Sequence, residues 1–408
     1  MTESAVATGE GRKGPSPFAL LGAAQFLSQF GDSMFMIVLI WLLLELTGSK
    51  AATGFAAFIS YLPALLFGVV AGFLVDRWNR RRVMAYADLA RAVLLAAGGL
   101  LYAGGMLTAP VLTAIAFLCA TAGVLFNPAR DSILPEFASG ARLIHANAWI
   151  QTSQQAAYFA GPLAAAFVIQ EAGLGATWPV GVVVYGGSLA MILAMGNVGR
   201  AHRDPAVMKR PLDDFRQGLS AIGRDTTLLL LLAFTALDNL FIMGPALVGN
   251  AVMVRETLGG GAAMYALVEA VYGLGWGLGS LLVSRFGSRW PLGLMLLTGI
   301  ALDGFTYVPL YWCRTLPTFL VGSFLHAMVI PLITVPRSTI LQRIVPKERL
   351  GRVFALQNVV VVGMTALSSG LAGLALERID APTLFGVIGF AAGLVGLAGF
   401  ASKRLREL

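Results

Sequence analysis

Asp32, Asp238 and Asp303 stand inside long apolar runs of the sequence, where a carboxylate does work that no apolar side chain can do. In the hydrocarbon of a bilayer a carboxylate costs at least about 2.5 kcal/mol, so it faces protein or a water-filled cavity and serves a proton, an ion or a charged ligand. Counting about 1.5 Å per helical residue, each of the three lies roughly 18 to 21 Å along its helix, near mid-membrane. Gln29-Phe30-Gly31-Asp32-Ser33-Met34-Phe35 aligns with Thr235-Ala236-Leu237-Asp238-Asn239-Leu240-Phe241 at an offset of 206 residues, which makes Asp32 and Asp238 repeat partners. They are the first candidates for proton exchange or for holding a cationic group of a substrate, against the alternative of a hydrogen bond to a neighbouring helix. Gly31 puts Asp32 in a close-packing context, and Gln29 lies one turn away.

Other polar groups share these runs. Tyr265, Glu269, Tyr272 and Trp276 follow at spacings of four, three and four, so one helix face presents two phenols, an indole and a carboxylate. That face is either a binding wall or a packing surface, and the acid favours the wall. Gln151, Gln154 or Gln155, and Tyr158 form a similar stripe that lines a cavity or bonds helices together. Asp88 and Arg91, three apart, pair with each other or extend an ionic latch at the cytoplasmic side. His326 is a proton relay or a hydrogen-bonded packing residue. Cys119 and Cys313 read as small apolar core residues. There is no GxxxxGK[ST] loop for ATP, no paired histidine for a metal and no polar stretch long enough for a soluble domain, so no enzyme activity and no cofactor are expected. Energy then comes from an ion gradient or the substrate's own gradient.

The elements that must position these groups follow from composition. The chain has 408 residues, 57% hydrophobic and only 12% charged, against roughly 25% charged in soluble domains. Twelve apolar blocks of membrane-spanning length can be drawn: 18–46, 52–75, 83–105, 110–129, 144–170, 178–198, 226–252, 262–283, 290–312, 315–335, 352–376 and 382–402. Helix is required, because a lipid-exposed segment must satisfy its own backbone and the alternation of barrel strands is missing. The expected fold is an all-α integral membrane protein of twelve transmembrane helices in two pseudo-symmetric six-helix bundles.

Residues 1–17 form a cytoplasmic tail, 18–198 the first bundle, 199–225 a cytoplasmic linker, 226–402 the second bundle and 403–408 a final tail. The net charge of +8 is a topology signal and not a nucleic-acid signal. Of 29 Lys and Arg residues, 24 fall in loops on one side, four on the other (Lys50, Arg255, Arg314 and Arg378), and Arg91 lies within a helix. By the positive-inside rule both termini are cytoplasmic. The first apolar block is too long for a cleavable signal peptide and stays as an anchor.

Two further repeats lie at nearly the same offset, 208 and 207 residues. Val75-Asp76-Arg77-Trp78-Asn79-Arg80-Arg81 matches Val283-Ser284-Arg285-Phe286-Gly287-Ser288-Arg289, and Arg130-Asp131-Ser132-Ile133-Leu134 matches Arg337-Ser338-Thr339-Ile340-Leu341. Parallel halves related by an axis along the membrane normal place a substrate site between them. The stretch Gly72-Phe73-Leu74-Val75-Asp76-Arg77-Trp78-Asn79-Arg80-Arg81-Arg82 resembles the loop signature of the major facilitator superfamily. Asn79 stands where that family usually has glycine, and asparagine tolerates the left-handed turn. Within the superfamily the chain is similar to the branch of enterobactin exporters and macrolide-efflux proteins. That likeness is carried by Gly31-Asp32, Asn127-Pro128-Ala129-Arg130 with Leu134-Pro135, and Ala146-Asn147-Ala148. Gly161-Pro162 is a partial antiporter signature, and the fourth-helix arginine of many drug–proton antiporters is absent.

The resemblance implies a cytoplasmic gate in which Gly72, Asp76, Arg77 and Arg81 work with Arg130 and Arg352, extended by Asp88 and Arg91. It implies a secondary active transporter of the bacterial inner membrane, acting as a monomer. The expected cargo is a small apolar or amphipathic compound such as a drug, siderophore or metabolite, exported in exchange for protons or another coupling ion. A lipid flippase of the same superfamily is the alternative, and a non-transporting receptor or scaffold the reading from another class. The partners expected are the small-molecule substrate, the coupling ion and membrane lipid, and no nucleic acid.

Overall fold

Polar caps and glycines punctuate the apolar runs where the sequence places them. Ser16 accepts a hydrogen bond from the Ala19 amide at 3.2 Å and Pro17 begins α1, Pro17–Thr47, which ends at Gly48 with φ +63°. Ser49 caps α2, Lys50–Arg77, and Asp225 caps α7 by accepting from the amides of Thr227 and Leu228. Asn79 holds an extended backbone, φ −67°, and caps α3, Arg80–Ala103, by accepting from the Arg82 amide. The left-handed turn expected there is therefore not formed, because the side-chain cap serves one of the orphan amides of the helix start directly.

The computed structural model describes residues 16–137, 141–196, 198, 199, 220, 223 and 225–408. The remaining helices are α4 Ala109–Ile133, α5 Ala141–Ala172, α6 Thr177–Ala194, α7 Thr226–Gly244 with its continuation to Thr257, α8 Ala262–Phe286 and α9 Leu292–Tyr307, then α10 in two segments, Leu316–Ala327 and Pro331–Ile344, α11 Lys347–Leu376 and α12 Ala381–Gly399. No strand occurs among the described residues. Eleven helices among them are long and apolar enough to cross a membrane. The fifth is as long, but its first half carries Arg142, His145, Asn147, Gln151, Gln154 and Gln155. Most of the 199–225 linker, residues 1–15 of the N-terminal tail and the side chain of Asp76 lie outside the described residues, as do the surroundings of Gly72.

Two helices depart from regularity. In α7, Gly244 and Pro245 are followed by two wide π turns, Pro245–Gly249 and Met253–Thr257. Proline removes one ladder donor, and Gly244 donates its own amide to Ser368 Oγ at 2.7 Å. In α10 the chain loosens to a turn over 328–330 and restarts at Pro331. The second segment runs to Ile344, so Arg337, assigned above to a loop, is a helical residue and 9% exposed. Arg130 likewise belongs to α4 and is 5% exposed. Both are basic residues with work to do inside the protein as well as at its edge.

The halves α1–α6 and α7–α12 meet most closely at the face opposite residues 16 and 408, here the far face. A Cβ on Gly54 of α2 would lie 2.5 Å from the Ser369 carbonyl oxygen and 2.8 Å from the Gly373 Cα of α11. Only hydrogen at that position lets the two backbones touch. Lys50 pairs with Glu256 at 2.7 Å, Glu377 accepts from Ser49 Oγ at 2.8 Å and from the Ala51 amide at 2.9 Å, and Arg255 donates to the Leu44 carbonyl. Trp41 stacks on Tyr265 with ring centres 6.1 Å apart. Glu377 of one half thus caps the start of α2 in the other. Its hydrogen bonds from the Ala51 amide and Ser49 hold its carboxyl below the ordinary glutamate range. A depressed carboxyl supports the seal above its usual pKa and loses that support as pH falls through the lowered one. The Glu377→Gln variant should raise the labelling rate of a cysteine placed at Ala57 by roughly 2- to 5-fold, the worth of one carboxylate at a helix start. Acidification of the far face should do the same to the parent protein and nothing to the variant; equal labelling at every pH would show that Glu377 holds no seal.

Candidate functional site

The first half buries an arginine and two aspartates together. Arg91 of α3 is 1% exposed and Asp88 fully buried. Arg91 is 3.0 Å from Asp88 Oδ1 and 3.2 Å from Asp32 Oδ2, and it donates to Ser28 Oγ at 2.8 Å. Asp88 also accepts from Ser28 at 2.9 Å and from Ser188 at 2.5 Å, and Asp32 from the Tyr185 phenol at 2.7 Å and Gln29 at 3.3 Å. The guanidinium lies 5.4 Å from the Tyr185 ring centre and 5.6 Å from that of Phe126. Gly123 of α4 makes room, since a Cβ there would stand 2.3 Å from Arg91 Nη2. Asp88 and Arg91 do pair with each other. Their second placement, as an extension of the cytoplasmic gate, is corrected: they are eight and eleven residues into α3, roughly 12 to 17 Å from its start, and the acid they bring in is Asp32.

Arg81, also assigned to the gate, donates to the carbonyls of Ile192, Leu193 and Gly196 at 2.9, 2.7 and 2.7 Å. It caps the end of α6 within its own half, where a cation meets the orphan carbonyls of a helix C-terminus. Arg130 bonds Asp131 at 2.7 Å and Asn127 at 3.1 Å on its own helix.

The second half gathers a different cluster. Asp238 of α7, Asp303 of α9, and His326 and Arg337 of α10 are 7%, 2%, 1% and 9% exposed. Oδ1 of Asp238, Oδ1 of Asp303 and Nε of Arg337 are buried without a hydrogen-bond partner. Thr306 uses its one hydroxyl hydrogen on the carbonyl of Leu302 at 2.7 Å, so its oxygen accepts from His326 Nδ1 at 2.9 Å. The network therefore assigns the ring hydrogen to Nδ1 and leaves Nε2 as a buried lone pair without a partner. The same ring lies edge-on to Tyr307 at 4.3 Å and tilted to Tyr272 at 5.9 Å. Asp238 and Asp303 thus sit within one bundle. The two repeat partners differ in surroundings: Asp238 is 7% exposed, whereas Asp32 keeps a side chain 34% exposed.

The fifth helix carries a polar face. Gln151, Gln155 and Tyr158 are exposed along one line of the helix, and Trp149, Ala156, Leu163 and Phe167 along another. At 3.6 residues per turn the two lines are roughly 140° apart. An apolar exposed face suits lipid and a polar one at mid-membrane does not. Gln154 turns to Gln29 at 3.5 Å. In the second half, Glu269 of α8 accepts from Asn250 at 2.9 Å, an amide that lies between the two π turns of α7. Tyr265 does not join this wall. It is 1% exposed, stacked on Trp41, with its hydroxyl donating to the Leu247 carbonyl at 3.3 Å, because the helix start carries it into the far-face seal. Tyr272 faces His326 inside its own half, and Trp276 is half-buried one turn further on.

Reasoning from the sequence missed Ser28, Tyr185, Ser188, Asn250, Thr306 and Arg337. Ser28 carried a signal, one turn before Asp32 on the same face; Tyr185 and Ser188 are 153 and 100 residues from the acids they serve and carried none. Among the described residues no group of three or more His, Cys, Asp or Glu is placed to hold a metal.

A long series of membrane helices, eleven of them apolar enough to span among the described residues, with buried charge in each half, defines a polytopic membrane protein of transporter fold. The chain belongs to the Major Facilitator Superfamily, whose sequence profile matches residues 21–249. It is 24% identical over 372 residues to macrolide efflux protein A of Streptococcus pyogenes, covering 89% of this chain and 90% of that one. It is 30% identical over 184 residues to the multidrug efflux pump Tap of Mycobacterium tuberculosis, covering 44% of each. In structure it is similar to the nucleoside transporter NupG, with TM-score 0.77 at 12% identity over 95% of this chain and 99% of that one. A bacterial homologue of the iron transporter ferroportin in an inward-facing state gives TM-score 0.74 at 13% identity over 95% and 99%. These likenesses in structure carry the fold alone.

Proposed function

We propose that this transporter exports a small apolar or amphipathic compound of antibiotic size from the cytoplasm by alternating access, in exchange for protons. The observation that carries the reading is a mid-membrane wall of Gln151, Gln155, Tyr158 and half-exposed Asp32 in a molecule whose far face is sealed. The bias of 24 basic residues to four puts residues 16 and 408 inside the cell. The sealed face is then the outer one, and the cleft is loaded from within, as an exporter of the plasma membrane requires. The names of the relatives, an efflux protein for macrolides and a multidrug efflux pump, support the direction and the class of cargo. A flippase for phosphate-bearing lipids fits less well, since the one arginine near the centre of the first half is already held by two aspartates and a serine.

The test uses inverted membrane vesicles with an imposed pH gradient and a radiolabelled macrolide as the probe. Gradient-driven uptake should appear in the parent and fall at least tenfold in Asp32→Asn, about 1.4 kcal/mol of lost coupling or binding. Uptake that ignores the gradient in the parent would remove proton exchange from the reading, and uptake unchanged in the variant would remove Asp32.

A further inference from the structure

The loops that follow the second helix of each half are repeat partners, yet they handle their charge in opposite ways. The first, 75–81, carries Asp76; its Arg80 lies 3.7 Å from Glu136, and its Arg81 gives three hydrogen bonds to the end of α6. The second, 283–289, has Ser284 in place of the aspartate, and that hydroxyl donates to the Leu281 carbonyl at 2.8 Å. Arg285 and Arg289 are exposed, and each guanidinium lies 5.9 Å from the centre of the Phe286 ring. One ring thus holds two cations side by side, and the ion pairs among the described residues include neither of them. Like charges held together repel, and an anion from outside the chain relieves that repulsion.

Apolar surface runs up to the same spot. Leu274, Leu278, Leu281 and Leu282 of α8 are all exposed, and their spacings of four, three and one put them on one helix face with Arg285. From Leu274 to Phe286 the stripe is about 18 Å long at 1.5 Å per residue, close to the roughly 15 Å of hydrocarbon in one bilayer leaflet. Phe286 and Trp290 stand exposed at its polar end, where aromatic rings meet headgroups. That end lies on the face of residues 16 and 408, because a Cβ on Gly293, the second residue of α9, would collide with the Leu405 carbonyl oxygen of the short helix Lys403–Arg406. The short helix buries Leu405 and adds exposed Arg404 and Arg406 to the same corner.

We propose that this corner of the second half binds one anionic phospholipid of the adjoining leaflet, with Arg285 and Arg289 on its phosphate and its acyl chains along the α8 stripe. The site goes beyond the transport reading and depends on neither its cargo nor its coupling ion. Two planar guanidiniums suit a phosphate diester, which each can meet with paired N–H groups. The leucines then select an amphiphile over a free phosphate. Arg404 and Arg406 add to the positive potential, and the nearby carboxylate of Glu407 is taken up by Lys403 at 3.7 Å.

Native mass spectrometry of the purified full-length protein, stripped of lipid in a neutral detergent and titrated with phosphatidylglycerol, reads the site. The parent should hold one phosphatidylglycerol roughly tenfold or more tightly than phosphatidylcholine with the same chains. Arg285→Gln combined with Arg289→Gln should erase that preference, roughly fivefold per arginine, and leave phosphatidylcholine binding unchanged. Arg285→Lys combined with Arg289→Lys should keep most of it, which separates lost charge from lost fold. Leu278→Gln combined with Leu281→Gln should weaken both lipids, whereas Arg314→Gln on the far face should change neither. Equal binding of the two lipids by the parent, or a preference that survives the double glutamine variant, overturns the proposal. Glycerol phosphate that displaces phosphatidylglycerol at equal concentration would reveal a site for soluble phosphate and overturn the lipid assignment.

Discussion

Replacing Arg91 with methionine should remove most of the folded protein from the membrane. The guanidinium is the one positive group contacting Asp32 and Asp88, 3.2 and 3.0 Å away, and both acids stay in place when it goes. Removing one partner of a buried ion pair costs about 3–5 kcal/mol, because the remaining charge keeps its desolvation and loses its compensation. That is a large part of the stability of an ordinary domain, about 5–15 kcal/mol. Methionine fills a similar volume, so the loss reports charge and not a cavity. Arg91→Lys should recover only part of it, since one ammonium cannot span Asp32, Asp88, Ser28 and the Cys119 carbonyl as the planar fork does. Asp88→Asn added to Arg91→Met should recover more, because it withdraws one of the stranded charges. Thermal unfolding in detergent measures all of these. An unchanged Tm for Arg91→Met would mean that the triad is held by water and contributes nothing.

Gly54→Leu should leave the protein folded and nearly abolish transport. The atoms a side chain would meet at Gly54 are backbone, the Ser369 oxygen at 2.5 Å and the Gly373 amide and Cα, so nothing flexible can move aside. Overpacking of this kind costs about 1–3 kcal/mol. Here the cost falls on one conformation only, because separating the far ends of α2 and α11 relieves it. A difference of about 1–3 kcal/mol between two states changes their ratio by roughly 5- to 150-fold. The variant should therefore rest with its far face open, label readily at a cysteine placed at Ala57 and turn over at a small fraction of the parent rate. Labelling equal to the parent, or full transport, would mean that α2 and α11 need not touch at Gly54 in any step of the cycle. Gly373→Leu approaches the same contact from the other side and should behave alike.

The far-face seal and the buried triad illustrate how unequally the sequence records its own structure. Length and apolarity of each run determine a membrane helix locally, residue by residue, and so the twelve elements and the repeat of the Asp32 and Asp238 segments could be read directly. The signature around Asp76 carried the family in the same way, because it is a contiguous string. Helix ends were less legible. Arg130 and Arg337 look like loop cations by composition, and they prove to be helical and buried because α4 and α10 extend past the point where their apolar runs stop.

The composition and order of the chain thus determined that it crosses the membrane many times as two like halves, and which few polar residues must be buried. Only the tertiary structure decided which of those residues meet. Tyr185 reaches Asp32 from 153 positions away, and Tyr265, one helical stripe with Glu269 by spacing, belongs to the seal while Glu269 pairs with Asn250. The physical reason is that hydrophobicity is a property of each residue, whereas the partner of a buried charge depends on how each helix is rotated and how deeply it is set against its neighbours. Those rotations are decided by packing at contacts such as Gly123 on Arg91 and Gly54 on Gly373, where one missing Cβ fixes a whole helix pair.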